Sequence, residues 1–89
     1  MIFMDRPRYI WFRGRKRLAC HCSGVDLEAL HAFMTGIGVP HRAFHNKPNR
    51  PHYDLFDEAI NRALDAGAVQ VSNTEFVRLL IRHYQPDAG

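Results

Sequence analysis

No apolar run in this chain approaches the roughly 18 residues that cross a bilayer, so a membrane-spanning helix is excluded. The opening Met-Ile-Phe-Met-Asp-Arg-Pro-Arg lacks the charged-then-apolar order of an export signal, and a cytoplasmic location is expected. Cysteine is scarce: Cys20 and Cys22 have no second close pair, so a thiolate zinc site is not expected. No Gly-rich phosphate loop, His-Glu-x-x-His, Cys-x-x-Cys or nucleophile elbow appears. Gly36-x-Gly38 closes a helix rather than opening one, which removes a dinucleotide fingerprint as well. Length is also limiting. Size scaling has a chain of 89 residues bury about 64% of its surface, enough for one modest core. A second domain, a TIM barrel or a full dinucleotide-binding fold will not fit, and one α/β domain over residues 1–89 is expected.

Acids are missing where bases collect. Arg6, Arg8, Arg13, Arg15, Lys16 and Arg17 precede Asp26 with only Asp5 against them. A second acid-free stretch, Pro40 to Tyr53, carries Arg42, Lys47 and Arg50 among His41, His45 and His52. Lys16 and Lys47 are the only lysines, and arginine presents a planar fork suited to phosphate or carboxylate. The functional reading is a surface that meets an anion, such as a nucleotide or nucleic acid. The structural one is a pair of solvated basic loops.

The elements follow from periodicity. Ile2 to Met4 and Leu18 to Cys22 read as strands that pair as neighbours, with the aromatic run Tyr9-Ile10-Trp11-Phe12 and a basic turn between them. Alternation on the second strand puts both thiols on one face and His21 on the other, the thiols reduced and buried. Asp26 caps a helix from Leu27 to about Thr35, with Leu27, Leu30 and Met34 on one stripe and His31 at its edge. A short strand is expected around Ala43 to His45, in a segment that Pro40, Pro48 and Pro51 otherwise leave as loop. A second helix is expected from about Leu55 to Ala66, capped by Asp54, and a strand over Ala68 to Val71. Ser72 and Glu75 form a capping box for a last helix reaching about Tyr84, stopped by Pro86. This order predicts an α/β fold: one small sheet of about three to four short strands, partly parallel, with three helices.

Chemistry concentrates in Pro51-His52-Tyr53-Asp54, where imidazole, phenol and carboxylate adjoin. His21, His52, Tyr53 and Asp54 are the candidate catalytic residues. Asp5 at a strand end, His21, His52 and Asp54 are candidate ligands for a divalent metal ion. Arg15, Arg42, Arg50 and His31 are candidate ligand-binding residues. The competing reading makes Asp54 a helix cap, Tyr53 a core residue, His52 solvated and His21 a satisfied core histidine.

The chain also resembles a small family of bacterial and phage proteins, a domain of unknown function. The resemblance rests on Asp5, Gly14-Arg15, His21, Leu30-His31-Ala32-Phe33, Pro51-His52-Tyr53-Asp54, Gly67-Ala68 and Glu75-Phe76-Val77-Arg78. It runs nearly the whole length, and the His-Tyr-Asp segment is its most specific part. Ala43 stands where the family tends to have Trp, and Met4 where a second Asp is usual. If a metal there needs adjacent carboxylates, the Met4 departure removes one of them. The resemblance implies the outline and the choice of residues, not a reaction.

The leading expectation is a phosphate-binding domain, acting on a nucleotide or nucleic acid, with metal- or His52-assisted phosphoester hydrolysis as the fitting reaction. The alternative is a non-catalytic interaction module or a homodimeric bacterial or phage accessory protein, motivated by the aromatic run beside arginine.

Overall fold

Short segments with apolar residues at alternate positions can bury them together only by sharing a sheet. The computed structural model, which describes residues 1–84, has that arrangement. Strands β1 (Ile2–Met4), β2 (Arg8–Phe12), β3 (Arg15–Gly24), β4 (Phe44–His45), β5 (His52–Phe56) and β6 (Val69–Gln70) form one sheet. Its order is β4-β5-β3-β1-β6, and β2 pairs with the N-terminal half of β3. Helices α1 (Leu27–Gly36), α2 (Glu58–Asp65) and α3 (Asn73–Tyr84) complete the fold, with a 3-10 turn at His41–Ala43 before β4. The β1–β6 pair is parallel and the other four are antiparallel, so the sheet is mixed.

The α/β class and the three helices match expectation, but the sheet has six strands rather than three or four. One extra strand is β2, the aromatic run. It forms a hairpin with β3 across Arg13-Gly14, whose positive φ values of 53° and 78° give the twist that a tight two-residue hairpin turn requires. The other is β5, where a helix start was expected. His52-Tyr53-Asp54-Leu55-Phe56 alternates strictly between half-buried and buried, and α2 begins three residues later than predicted. Leu55 fits both the strand pattern and the helix stripe, and Asp54 and Asp57 are both cap-forming residue types. The chain turns at Asp57, so Asp54 is a strand residue and not a cap.

Other boundaries follow their local chemistry. The Asp26 carboxylate accepts from the Glu28 and Ala29 N–H groups at 3.0 and 3.5 Å, and Ser72 Oγ accepts from the Glu75 N–H at 3.1 Å. The Pro86 stop lies outside the described residues.

Alternation sorts the sheet into two faces. One carries Met4, Cys20, Cys22, Tyr53 and Leu55, which join Leu30 and Met34 of α1 and Ile60 of α2 in the main core. Burial of each such side chain contributes about 1.5–3 kcal/mol, so Leu30 and Met34 alone fasten α1 firmly. Both thiols are free and buried there, as expected. The opposite face carries Phe3, which meets Phe76, Leu79 and Leu80 of α3, the Phe3 and Phe76 rings edge-on at 5.2 Å. Because α3 sits over the β1 end, the part of this face formed by β3, β5 and β4 is left open and carries His21, His45, His52 and Asp54, with Ala19 and Phe56 beside them. Among the described residues, no helix is long and apolar enough to cross a membrane.

Candidate metal and anion site

The polar part of the second face is assembled by register. His21 on β3 lies opposite Asp54 on β5, and His45 on β4 opposite His52 on β5. His52 and Asp54 are two residues apart and share a face, so His21, His45 and His52 all surround one carboxylate. His52 Nε2 is 3.4 Å and His21 Nε2 3.8 Å from Asp54 Oδ1, and His45 Nε2 is 3.1 Å from Asp54 Oδ2. The His45 and His52 rings stack at 4.9 Å.

Each central imidazole is held from behind. His21 Nδ1–H donates to Asp5 Oδ2 at 2.7 Å, while the His21 backbone N–H donates to Asp5 Oδ1 at 2.7 Å. Asp5 is buried, and the Asp5 N–H to His21 carbonyl bond locks the two backbones together. His52 Nδ1–H donates to the Arg50 carbonyl at 2.7 Å. Both rings therefore turn Nε2 toward Asp54. Without an ion, the hydrogen bond from His52 holds the Asp54 carboxyl below its usual range, and that bond raises His52 against the opposing effect of burial.

Ligand atoms of His21, His52 and Asp54 all lie within 4.8 Å of one another, so these residues could together hold a metal ion. Two ligands about 2.1 Å from a tetrahedral ion stand about 3.4 Å apart, close to the Nε2–Oδ1 distances here. Two imidazoles and a carboxylate suit borderline first-row divalent ions better than magnesium or calcium, which favour oxygen. The backing of each imidazole at Nδ1 is the second-sphere arrangement that fixes tautomer and orientation in metal sites.

Beside this cluster lies a cavity of about 430 Å³, open between the sheet and α3. Arg8, Lys47 and Arg50 line it together with His21 and His52. Its wall acid, Asp5, is already engaged by His21, so the cavity offers three cations to an incoming anion.

The expected residues therefore divide. His21, His52 and Asp54 converge, and Asp5 stands behind His21 rather than among the converging ligand atoms. Arg50 lines the cavity, whereas Arg15 lies at the far end of the hairpin, opposite Phe12, and Arg42 lies in the 3-10 turn. Tyr53 is fully buried on the other face of β5, where its hydroxyl is hydrogen-bonded with His31 Nδ1 at 2.7 Å. His31 also meets the His41 ring at 4.5 Å, and burial keeps His31 below its ordinary pKa and Tyr53 above its own. Tyr53 and His31 thus form a separate pair beneath the sheet. His45, Arg8 and Lys47 belong to the basic stretches of the sequence but are not among the site residues expected from it. Parity on β2 would have placed Arg8 with Ile10 and Phe12, but only after that segment was recognised as a strand.

These features define an α/β domain with a histidine–carboxylate cluster on an open sheet face. The family model for a protein of unknown function, DUF4031, matches residues 2–83, and the chain belongs to that family. No curated protein and no solved structure matches the chain.

Proposed function

We propose that this domain holds a first-row divalent cation between His21, His52 and Asp54 and uses it to bind a phosphate-bearing ligand in the adjacent cavity. One observation carries the reading: both imidazoles are fixed at Nδ1 and present Nε2 to the same carboxylate. His45 stands within reach of Asp54 as a further donor or as a proton carrier. Arg8, Lys47 and Arg50 neutralise the phosphate, the two arginines by paired N–H contacts and Lys47 as a point charge. Three protein ligands leave coordination positions for a phosphate oxygen and a water. Metal-assisted hydrolysis of a phosphoester is the reaction class this arrangement supports. The two free, buried thiols support a reducing, cytoplasmic setting.

Titration of chelator-treated protein with Co²⁺, followed by its visible absorption, tests the ion site. Saturable binding at one equivalent that is lost in His52→Ala and Asp54→Ala is expected. Arg50→Ala should keep the ion and weaken inorganic phosphate binding to the Co²⁺-loaded protein. Absence of Co²⁺ and Zn²⁺ binding by the wild-type chain refutes the proposal. Exposure of Tyr9 and Trp11 favours a second, separate surface.

A further inference from the structure

The β2–β3 hairpin carries more than either core uses. Tyr9 and Trp11 belong to neither core and are 67% and 76% exposed. Strand parity puts both on one face, across from Leu18 and Lys16, while Arg8, Ile10 and Phe12 point to the face of the ion site. Trp11 to Lys16 are all exposed, around the Arg13-Gly14 turn. No acid occurs between Arg6 and Val25. Among the described residues, Arg17 is the hairpin's only cation in an ion pair, with Asp57 at 2.8 Å. Arg13, Arg15 and Lys16 are exposed and make no ion pair among the described residues; the Lys16 ammonium lies 4.7 Å over the Tyr9 ring and the Arg13 guanidinium 5.3 Å over the Phe12 ring.

We infer that this hairpin is a platform for single-stranded nucleic acid, with bases stacked on Trp11 and Tyr9, phosphates met by Lys16 on the same face and, at the tip where the strand wraps, by Arg13 at the turn and Arg15 from the edge. The occupant is selected by charge, shape and spacing. Cations beside flat rings match a polyanion that also carries π faces. A second copy would bring like-charged hairpins together, which is costly. Two residues along a strand set the rings about 6.6 Å apart, on the same side of the ribbon. Stretched, unstacked bases can meet such a spacing, whereas a duplex keeps its bases stacked at about 3.4 Å per step. The turn adds a further sign: Arg13 is held at positive φ where Asn or Gly is preferred, so an arginine is kept there at a conformational cost. The inference does not need the ion site, which lies on the other face.

Trp11 is the only tryptophan, so its fluorescence reports on this hairpin alone. The experiment titrates the chain with a labelled oligothymidylate of about 15 nucleotides, reading anisotropy and tryptophan quenching together. Quenching is expected, with a log–log salt slope near −2 for about three neutralised phosphates. Trp11→Phe should keep affinity within about threefold, and Trp11→Leu should lose about tenfold, because only the former retains a stacking face. Both should melt like the wild type, since the site is exposed. Arg13→Ala with Arg15→Ala and Lys16→Ala should flatten the salt slope.

Four results overturn the inference: Trp11→Leu binding as tightly as the wild type; a duplex of equal length binding at least as well as the single strand; quenching by phosphatidylserine vesicles but not by the oligonucleotide; or a dimer in sedimentation that Trp11→Leu dissolves. Asp54→Ala should leave oligonucleotide binding intact. A wild-type chain that binds the oligonucleotide but takes up no Co²⁺ refutes the ion site alone.

Discussion

Asp5→Asn is the sharpest perturbation of the ion site, because it changes one atom behind a ligand without touching the ligand. The Asp5 carboxylate accepts two bonds from His21, one from the backbone N–H and one from Nδ1. Asparagine has a single acceptor oxygen, and the backbone N–H, which cannot change its role, claims it. The new NH₂ then faces Nδ1, so Nδ1 must become the acceptor and the ring proton moves to Nε2. A protonated Nε2 cannot ligate. Loss of such backing groups typically weakens metal binding 10- to 100-fold. The ion's stabilisation falls in step. At a free Co²⁺ concentration of about 100 times the wild-type Kd, binding adds about 2.7 kcal/mol, and a tenfold weaker site leaves about 1.4 kcal/mol. The cobalt-induced rise in Tm should therefore drop by about half or more. Exchanging charge-assisted hydrogen bonds for neutral ones should also lower the ion-free stability by about 1 kcal/mol, or roughly 4–8 °C in Tm. Calorimetric scans with and without Co²⁺ separate the two effects. An Asp5→Asn variant that melts lower but shows the full cobalt-induced shift would refute the backing role of Asp5.

Two further outcomes test the faces of the sheet. Tyr53→Phe removes the hydroxyl hydrogen-bonded with His31, at about 1 kcal/mol and roughly 4–8 °C in Tm, yet should leave Co²⁺ affinity unchanged because Tyr53 faces the main core. Chemical unfolding and the cobalt titration check both halves, and a loss of affinity would mean that the two faces communicate. Burial pushes the Cys20 thiol up from 9.0 to about 12 and raises Cys22 as well, so native thiols should resist a disulfide reagent that labels them promptly on unfolding. The sign for stability follows: the contribution is complete below the unfolded thiol pKa near 9 and is lost as pH rises, because the unfolded chain releases those protons first. Unfolding curves above about pH 9 should show that decline, and it should be shallower with both cysteines replaced by alanine.

Much of the outline is written locally. α1 is legible because a cap, an apolar stripe and a stop coincide, α3 because a cap and a stripe do, and β1 and the second half of β3 because each is a short apolar run bounded by turn-forming residues. β2 is harder to read because both faces of a projecting ribbon meet solvent, so it has no buried register to betray it. β5 was masked by Leu55, which satisfies strand and helix periods alike. That one ambiguity decided much of the site: a loop before a helix lets His52, Tyr53 and Asp54 point together, whereas a strand sends Tyr53 away from its neighbours. The convergence of His21 with His52 and Asp54 was expected, and the β3–β5 register supplies it. His45 lay beyond local reasoning, because its place depends on a two-residue strand whose pairing is fixed only by the folded sheet.

The strict alternation along β5 has a consequence for how this domain can change over time. Tyr53 and Leu55 belong to the core, while His52, Asp54 and Phe56 belong to the open face, so substitutions at neighbouring positions meet different physical constraints. Replacing the odd-numbered residues tests whether the chain still folds; replacing the even-numbered ones tests the proposed site. A library varied only at His45, His52 and Asp54 would test the proposed ion and ligand preferences while leaving the packed interior and the His21–Asp5 bond in place. One short strand thus keeps the adaptable residues and the indispensable ones interleaved, yet nearly independent.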